Sequence, residues 1–242
     1  MTMANKTRSD ILNQVYEYLP TANVSSHDTL IDNLIDLAAE EISYAHNFRY
    51  LASSTPVEAT LAADAYYLDE SDFSFSNLKE PLHVMWLNST TGEHREIRWK
   101  PQQTFHRDHP YRDYSSISTG KPKWYTRVGT RWFFNVPADE SITVRVWYQQ
   151  THGNFSSDAT SHSFVPDNTG FQAIVASVLE ELHDALPGME MSPKAIAAIN
   201  KKGYWIQKLI DADMKRANED VEMLENVHGD KSADITDPYA WV

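Results

Sequence analysis

Three residues with metal-binding side chains, His106, Asp108 and His109, lie within four consecutive positions of the sequence. A protein metal site needs three or four ligands that converge on one point. These three residues lack helical spacing, and no distant His, Asp or Glu stands out as a further ligand. The spacing therefore favours a solvated loop, and a hydrolase that uses a carboxylate or metal site near His106 and Asp108 stays an open alternative.

The tripeptide His106-Arg107-Asp108 also matches the beginning of a protein-kinase catalytic loop. That loop needs an asparagine as a metal ligand five positions after its aspartate, and Asp113 occupies this position. No glycine-rich phosphate-binding loop precedes the match in the sequence. We therefore do not interpret the tripeptide as a kinase motif.

Two pairs of adjacent carboxylates, Glu40-Glu41 and Glu180-Glu181, could suggest acid–base catalysis. Both pairs fall in predicted helices, where neighbouring residues point in different directions, so we expect solvated helix surfaces. The sequence also lacks a serine nucleophile elbow, a Walker loop and a dinucleotide-binding fingerprint. We therefore predict no catalytic, cofactor-binding or metal-binding residues, and the protein is not expected to be an enzyme.

Five tryptophans recur along the segments that are predicted to be strands, namely Trp86, Trp99, Trp124, Trp132 and Trp147. Exposed aromatic rings can stack on sugars or bases, so a carbohydrate-binding or receptor-binding module is the alternative function. Aromatic residues on strands more often fill a hydrophobic core, and a core role is predicted here. The exposure of the rings distinguishes the two functions.

The composition is that of a globular protein with an acidic excess. The 242 residues are 41% hydrophobic and 23% charged, and 34 acidic against 21 basic side chains give a formal net charge of −13. This charge opposes binding to nucleic-acid phosphates, because the Lys and Arg residues are not expected to cluster strongly. There are no cysteines, and no stretch approaches the roughly 20 apolar residues of a membrane helix. The polar beginning, residues 1–10, lacks the apolar core of a signal peptide.

Two helices are predicted at the beginning of the chain. The first spans about residues 7–18, because Thr7 and Asp10 have the spacing of a capping box and Pro20 prevents continuation. Ser25 and Asp28 repeat this spacing before a second helix. The apolar residues of that helix recur every three or four positions, as on one helical face: Ile31, Leu34, Ile35, Ala38, Ile42 and Ala45.

From Ser53 the pattern changes to short runs that are rich in aromatic and β-branched residues, which is typical of strands. We expect antiparallel pairing between neighbours, because short connections cannot form parallel crossovers. The polar stretch 101–114 is predicted to be a short helix or a surface loop. The predicted strands are residues 57–61, 65–68, 82–87, 96–99, 123–128, 131–136 and 142–148.

Helical periodicity returns near Asn168 and stops at Pro187-Gly188. Ser192 and Pro193 suit the beginning of one last, long helix that runs to about Asn226. Gly229 would end this helix.

The order of these elements predicts an α+β fold. Both ends of the chain form a helical bundle, an antiparallel β-sheet or sandwich domain is inserted between them, and an extended C-terminal tail follows. The predicted boundaries are residues 1–52 and 151–228 for the two halves of the bundle, 53–150 for the β domain and 229–242 for the tail.

Several short motifs accompany this layout. The second helix contains residues 34–42 and is followed by His46-Asn47-Phe48-Arg49-Tyr50, and Tyr66-Tyr67-Leu68 precedes Asp72-Phe73. Residues 120–125 have the pattern Gly-x-Pro-x-x-Tyr at a strand start, and residues 134–139 have Phe-x-x-Pro-x-Asp before a Val-x-Val-x-Tyr strand. In layout and in these motifs, most of the chain resembles the head-to-tail adaptor (connector) proteins of tailed bacteriophages.

The resemblance implies a structural virion protein that forms a ring, a dodecamer of twelve copies, between the portal protein and the tail nozzle or tube protein. The implied location is the head–tail interface of the virion, after synthesis in the host cytoplasm and with no role for a membrane. DNA would pass through the lumen without sequence-specific binding during genome ejection. Acidic groups on the inner wall would repel its phosphates, and the alternative is that the acidic excess only keeps the subunit soluble.

The last six residues are the predicted portal or subunit interface: Asp237, Pro238, Tyr239, Ala240, Trp241 and Val242. Tyr and Trp are favoured as interface anchors. Tyr239 and Trp241 alternate, so on an extended backbone both rings would face the same surface. The alternative is that Trp241 folds back onto its own bundle.

Overall fold

The structure is a computed structural model that describes residues 6–19, 27–110 and 117–227, with residues 217–227 described by their backbone alone. These residues form an α+β fold with six α-helices and eight β-strands. The chain divides into two compact units. We call Met1–Ile35 with Ser157–Val242 the helical unit, and Asp36–Ser156 the β unit.

The helices agree with the apolar periodicity of the sequence except near Asn200. Their bounds are α1 Arg8–Tyr18, α2 Asp28–Ala45, α3 Gln102–Asp108, α4 Asp167–Ala185, α5 Pro193–Ile199 and α6 Lys202–Val227. Helix α3 lies in the stretch for which a short helix or a loop was predicted. Pro20 and Ser25 lie outside the described residues.

The capping box predicted before α1 is confirmed. The Thr7 amide donates to Asp10 Oδ2 at 2.8 Å, and the Asp10 amide donates to Thr7 Oγ1 at 3.3 Å. These bonds satisfy backbone donors that a helix beginning leaves without intrahelical partners. The backbone hydrogen bond from Thr7 lowers the pKa of the Asp10 carboxyl, because it stabilises the charged form.

Helix α4 supplies the most completely buried segment of the helical unit and packs against α1, α5 and α6. Its first turn contains Gly170, where a Cβ atom would lie 2.4 Å from the Cβ of Phe164 and 3.0 Å from the His162 ring. Only glycine allows this close approach between the helix and the preceding segment. The buried apolar residues are Phe171, Ala173, Ile174, Val175, Ala176, Val178, Leu179 and Leu182.

The prediction of one continuous last helix is wrong, because the structure has two helices with a break at Asn200 and Lys201. The Lys201 amide donates to the Ala198 carbonyl at 3.0 Å, which is the tighter bond of a 3₁₀ turn. Asn200 is the C-cap of α5, and Asn competes with helix formation through its short polar side chain. A regular helix then resumes with the Trp205 amide donating to the Lys201 carbonyl at 3.0 Å.

The β unit contains two four-stranded sheets. The first has the order β1-β8-β3-β4 and the second has the order β2-β7-β6-β5. The strand bounds are β1 Val57–Leu61, β2 Tyr67–Asp69, β3 Leu78–Leu87, β4 His94–Glu96, β5 Arg98–Trp99, β6 Trp124–Val128, β7 Arg131–Phe134 and β8 Ile142–Gln150.

One hydrophobic core contains residues from both sheets. Trp86 and Val84 reach it from the first sheet, and Trp132, Phe134 and Tyr125 reach it from the second. Burial raises the pKa of Tyr125 to about 12, because the phenolate cannot be solvated there. The shared core makes the two sheets depend on each other for their stability.

The expectation of purely antiparallel pairing is wrong for one strand pair. Strand β5 pairs parallel with β6, with Arg98 opposite Trp124 and Trp99 opposite Tyr125. The connection between them runs from residue 100 to 123 and includes α3, so it is long enough for a parallel crossover. The second sheet is therefore mixed, whereas the pairs of the first sheet are antiparallel.

Candidate interaction surfaces

The six residues predicted as the portal or subunit interface, 237–242, lie outside the described residues. Their assignment therefore stays a prediction. The surfaces that the structure does describe are a cleft in the helical unit and a groove in the β unit.

A shallow cleft of about 220 Å³ lies between helices of the helical unit. It is smaller than the roughly 300–1,000 Å³ of small-molecule sites, and its size suits one or two side chains of a partner. We call it the lysine–tryptophan cleft. Its lining residues are Tyr18 of α1, Gln172 of α4, Lys194, Ala197 and Ala198 of α5, Lys201 and Trp205.

Within the described part of the chain, no carboxylate pairs with the two lysines of this cleft. The nearby Lys202 donates to Glu180 at 2.5 Å. Lys194 and Lys201 are exposed, and neither has an ion pair among the residues that the structure describes. Although the chain has a net charge of −13, these exposed lysines form a local positive charge that attracts anionic groups.

An aromatic pair forms the adjoining rim of the lysine–tryptophan cleft. The rings of Tyr204 and Trp205 meet edge to face with centroids 5.0 Å apart. Lys208 places its Nζ 4.9 Å from the Tyr204 centroid and 5.5 Å from that of Trp205, as in a cation–π contact. Tyr204 is 53% exposed, so the rim offers apolar surface beside the lysine charges.

The β unit has a groove of about 330 Å³ whose positive charges are mostly balanced in place. Arg98 Nε lies 3.2 Å from Glu96, and Lys121 Nζ lies 3.1 Å from Asp139 and also contacts Glu140. A partner anion would have to compete with these carboxylates. The lining residues are Trp86, Arg95, Glu96, Arg98, Lys121, Pro122, Lys123 and Trp124.

The expectation that basic residues do not cluster is therefore wrong for these two surfaces. A signal for the cleft is present in the sequence, because Lys194, Ala198, Lys201 and Trp205 have the spacing of one helical face. No Asp or Glu occurs between Glu190 and Asp211. Apolar periodicity does not reveal this helical face, because two of its four residues are lysines.

The structure gives Asp108 cationic partners. Asp108 accepts hydrogen bonds from Lys100 Nζ and Arg107 Nε, each at 3.1 Å, and these bonds lower the pKa of its carboxyl. Burial, followed by the charge of Lys100, lowers the pKa of His109. Among the described residues, no group of three or more His, Asp or Glu side chains could hold a metal ion.

The five strand tryptophans have different environments. Trp86 and Trp132 are fully buried, whereas Trp124 and Trp147 are partly buried. Trp99, on the edge strand β5, is 58% exposed. The core role predicted for this group applies to the two buried rings and does not apply to Trp99.

The described helices include none that is long and apolar enough to cross a membrane. Open surface clefts lined by charged and aromatic side chains suit contacts with other proteins. These surfaces, on a helical unit and a β unit, are those expected of a protein that binds other proteins.

A family model described as SU10 adaptor protein matches residues 6–223 of the chain. The match covers most of the sequence, and the chain belongs to this family. The resemblance to phage head-to-tail adaptors is confirmed. No curated protein matches the chain. Family membership makes the protein a bacteriophage structural adaptor, a component of the virion that associates with head and tail proteins and with itself.

Proposed function

We propose that the protein forms a closed ring between the portal protein and the tail nozzle or tube protein. The observation that carries this proposal is the adaptor-family match over residues 6–223. Twelve copies would form the ring, and each copy would use two different surfaces toward its two neighbours. Such repeated heterologous contacts close into a ring when the rotation between neighbours is right.

In this proposal both ends of the chain form a helical bundle, and the β domain is an insertion, with the boundaries predicted from the sequence. The two compact units support this division, since the helical unit is assembled from Met1–Ile35 and Ser157–Val242. The role is structural and needs no catalysis and no cofactor.

The segment 237–242 is proposed to dock on the portal or on a neighbouring subunit. Its support is compositional, because Tyr239 and Trp241 are residue types that anchor interfaces. The net charge of −13 supports a DNA path along the ring lumen without sequence-specific binding, since acidic walls repel phosphates.

Electron microscopy of the full chain mixed with the portal protein of the same phage tests this function. We expect a stacked ring with one adaptor copy per portal subunit, and native mass measurement of the complex counts the copies. A mixture with an unrelated portal controls for nonspecific stacking. One or two copies per portal ring, or no complex at all, would contradict the adaptor proposal.

One observation favours a second function, carbohydrate or receptor binding, namely the 58% exposure of Trp99. A sugar that stacks on this ring would shift the tryptophan fluorescence. The shift should disappear in Trp99→Ala and persist in Trp147→Ala. If host-surface glycans cause no shift in the unaltered protein, this second function is excluded.

A further inference from the structure

The lysine–tryptophan cleft combines three properties that together select a partner. Lys194 and Lys201 provide positive charge that no described carboxylate neutralises. Trp205 provides an aromatic wall, and Ala197 and Ala198 leave space above α5. A matching partner is an acidic peptide segment that also carries aromatic side chains.

The sequence of this protein contains such a segment beyond the described residues. Residues 229–242 include three aspartates, Asp230, Asp234 and Asp237, and one lysine, Lys231. Tyr239 and Trp241 follow within four residues of the last aspartate. The charge and the aromatic content are both complementary to the cleft.

The length of the chain favours a cleft on another copy. Trp205 lies near the beginning of α6, and Val227 is its last residue. The 22 residues between them span about 33 Å at about 1.5 Å per helical residue. The 14 residues from Val227 to Trp241 reach at most about 46–50 Å. A return to the same copy's cleft would need a chain that doubles back and is extended to about two thirds of this length, which loses conformational entropy.

We propose that the lysine–tryptophan cleft of one copy binds residues 229–242 of a neighbouring copy. The aspartates face Lys194 and Lys201, and an aromatic side chain of the segment packs against Trp205. This inference rests on the proposed ring, in which copies are adjacent. It adds the surface that receives the segment and thereby a way for each copy to hold the next.

The binding test uses a fluorescently labelled peptide of residues 229–242. The receptor is the full chain carrying Tyr239→Ala and Trp241→Ala, so that its own segment competes less. We expect a saturable rise in fluorescence anisotropy that weakens with salt, because charge pairs contribute to binding. In the same receptor, Lys194→Glu with Lys201→Glu should weaken binding at least about tenfold.

The matched control is Lys123→Glu, an equal charge change at an exposed lysine of the β unit. It should change the affinity less than about twofold, because the lysine lies outside the cleft. A peptide with Asp234→Lys and Asp237→Lys should regain binding to the receptor that carries both cleft substitutions, K194E and K201E. This rescue separates a direct charge contact from damage to the fold.

Three results would overturn the inference. The first is equal binding of the peptide to the receptors with and without the K194E and K201E substitutions, and the second is a failure of the charge-swapped peptide to rescue binding. The third is preferential binding of a labelled DNA duplex by the same lysines, which would make the cleft a phosphate-binding surface.

The outcomes also separate this inference from the ring proposal. If the unaltered protein forms rings on the portal while peptide binding ignores the cleft variants, only the cleft inference fails. If no ring forms but peptide binding depends on Lys194 and Lys201, the adaptor ring fails and the segment–cleft contact stands as self-association.

Discussion

In the β unit, paired strands hold several charged side chains in ion pairs, whereas the helical unit leaves two lysines and the Tyr204 ring exposed at its cleft. In the β unit, Arg145 Nε contacts Glu58 at 2.6 Å and Arg131 Nε contacts Asp69 at 2.9 Å. Each of these pairs lies directly across two antiparallel strands. In the helical unit, Lys194 has no described carboxylate partner. The comparison makes the cleft of the helical unit the candidate surface for an anionic partner.

The physical origin of the difference is the geometry of the elements. Residues opposite one another on paired strands have Cβ atoms about 4.5–5.5 Å apart, so oppositely charged side chains at these positions are close enough to form an ion pair. A helix instead presents its neighbours along one face at intervals of three and four residues. The charged residues from Lys194 to Lys208 are all lysines, so an anion that pairs with Lys194 or Lys201 has to come from another segment or another molecule.

The largest expected effect is in the core of the β unit. Trp132 is fully buried, with ring centroids of Phe73 and Tyr125 each 5.4 Å away. We expect Trp132→Ala to lower the free energy of unfolding by about 3–5 kcal/mol, because it removes apolar contacts and leaves a cavity. Urea unfolding followed by circular dichroism measures this loss.

The control for that variant is Trp99→Ala, which removes the same side chain at a position that is 58% exposed. Its cost should stay below about 1 kcal/mol. Equal costs for the two variants would contradict the view that the β unit is organised around a closed core.

An intermediate effect is expected from close packing in the helical unit. Gly170→Ala places a methyl group 2.4 Å from Phe164 Cβ, so the segment before α4 must shift. We expect a loss of about 1–3 kcal/mol in the free energy of unfolding. Gly203→Ala is the matched control, because nothing lies within 4 Å of its added Cβ, and it should be neutral or slightly stabilising. Thermal unfolding of both variants tests the contrast, and tolerance of Gly170→Ala would contradict it.

Much of the fold can be predicted from local patterns, and the remainder depends on contacts that are distant in sequence. The capping box of Thr7 and Asp10 predicts α1, and a short run rich in β-branched residues predicts β1 at its observed bounds. The pairing of β1 with β8 joins Val57 to Val146, and no local pattern specifies that partner. The parallel β5–β6 pair was missed for the same reason, since it depends on a crossover through α3.

Prediction of interaction residues from the sequence was less complete. Aromatic content marked residues 237–242, which lie outside the described residues, but the cleft formed by α1, α4, α5 and α6 was not foreseen. Its lysines are spaced regularly, yet Tyr18 and Gln172 are brought to them only by tertiary packing. The residue spacing within one helix can therefore indicate which helical face lines the cleft. It cannot indicate which residues of other helices line the opposite side.

The smallest expected effect is a difference between the two units in how their stability depends on pH. Burial lowers the pKa of His152 in the β unit, outweighing the hydrogen bond to the Gly153 carbonyl and the nearby charge of Asp36. The unfolded chain protonates this histidine near pH 6.5 while the folded unit does not, so stability falls as the pH drops from about 6.5 toward the lower folded pKa. The slope for one proton is at most about 1.4 kcal/mol per pH unit.

Asp10 in the helical unit is an acid, whereas His152 is a base, and the two residues affect stability in different pH ranges. Its lowered pKa stabilises the folded state above the ordinary value of about 3.9, and this contribution is lost only as the pH falls through the folded pKa. Thermal unfolding between pH 7 and pH 5 should therefore report His152 and not Asp10. His152→Gln should reduce the slope, and His183→Gln, whose side chain is 59% exposed, should not. An unchanged slope in His152→Gln would contradict this assignment.

Because the helical unit is built from two distant parts of the chain, it cannot be completed until late in synthesis at the ribosome. The Arg8 amide donates to the Thr160 carbonyl at 2.9 Å, and the Arg8 side chain binds Asp158, 150 residues later in the chain. At about 5–20 residues per second, roughly 8–30 s separate the emergence of these partners. We expect the β unit, which is continuous in sequence, to be complete before α1 acquires its partners at residues 158–160. During that interval the apolar face of α1, with Ile11 and Val15, lacks its partners from the end of the chain and is exposed to solvent or to chaperones.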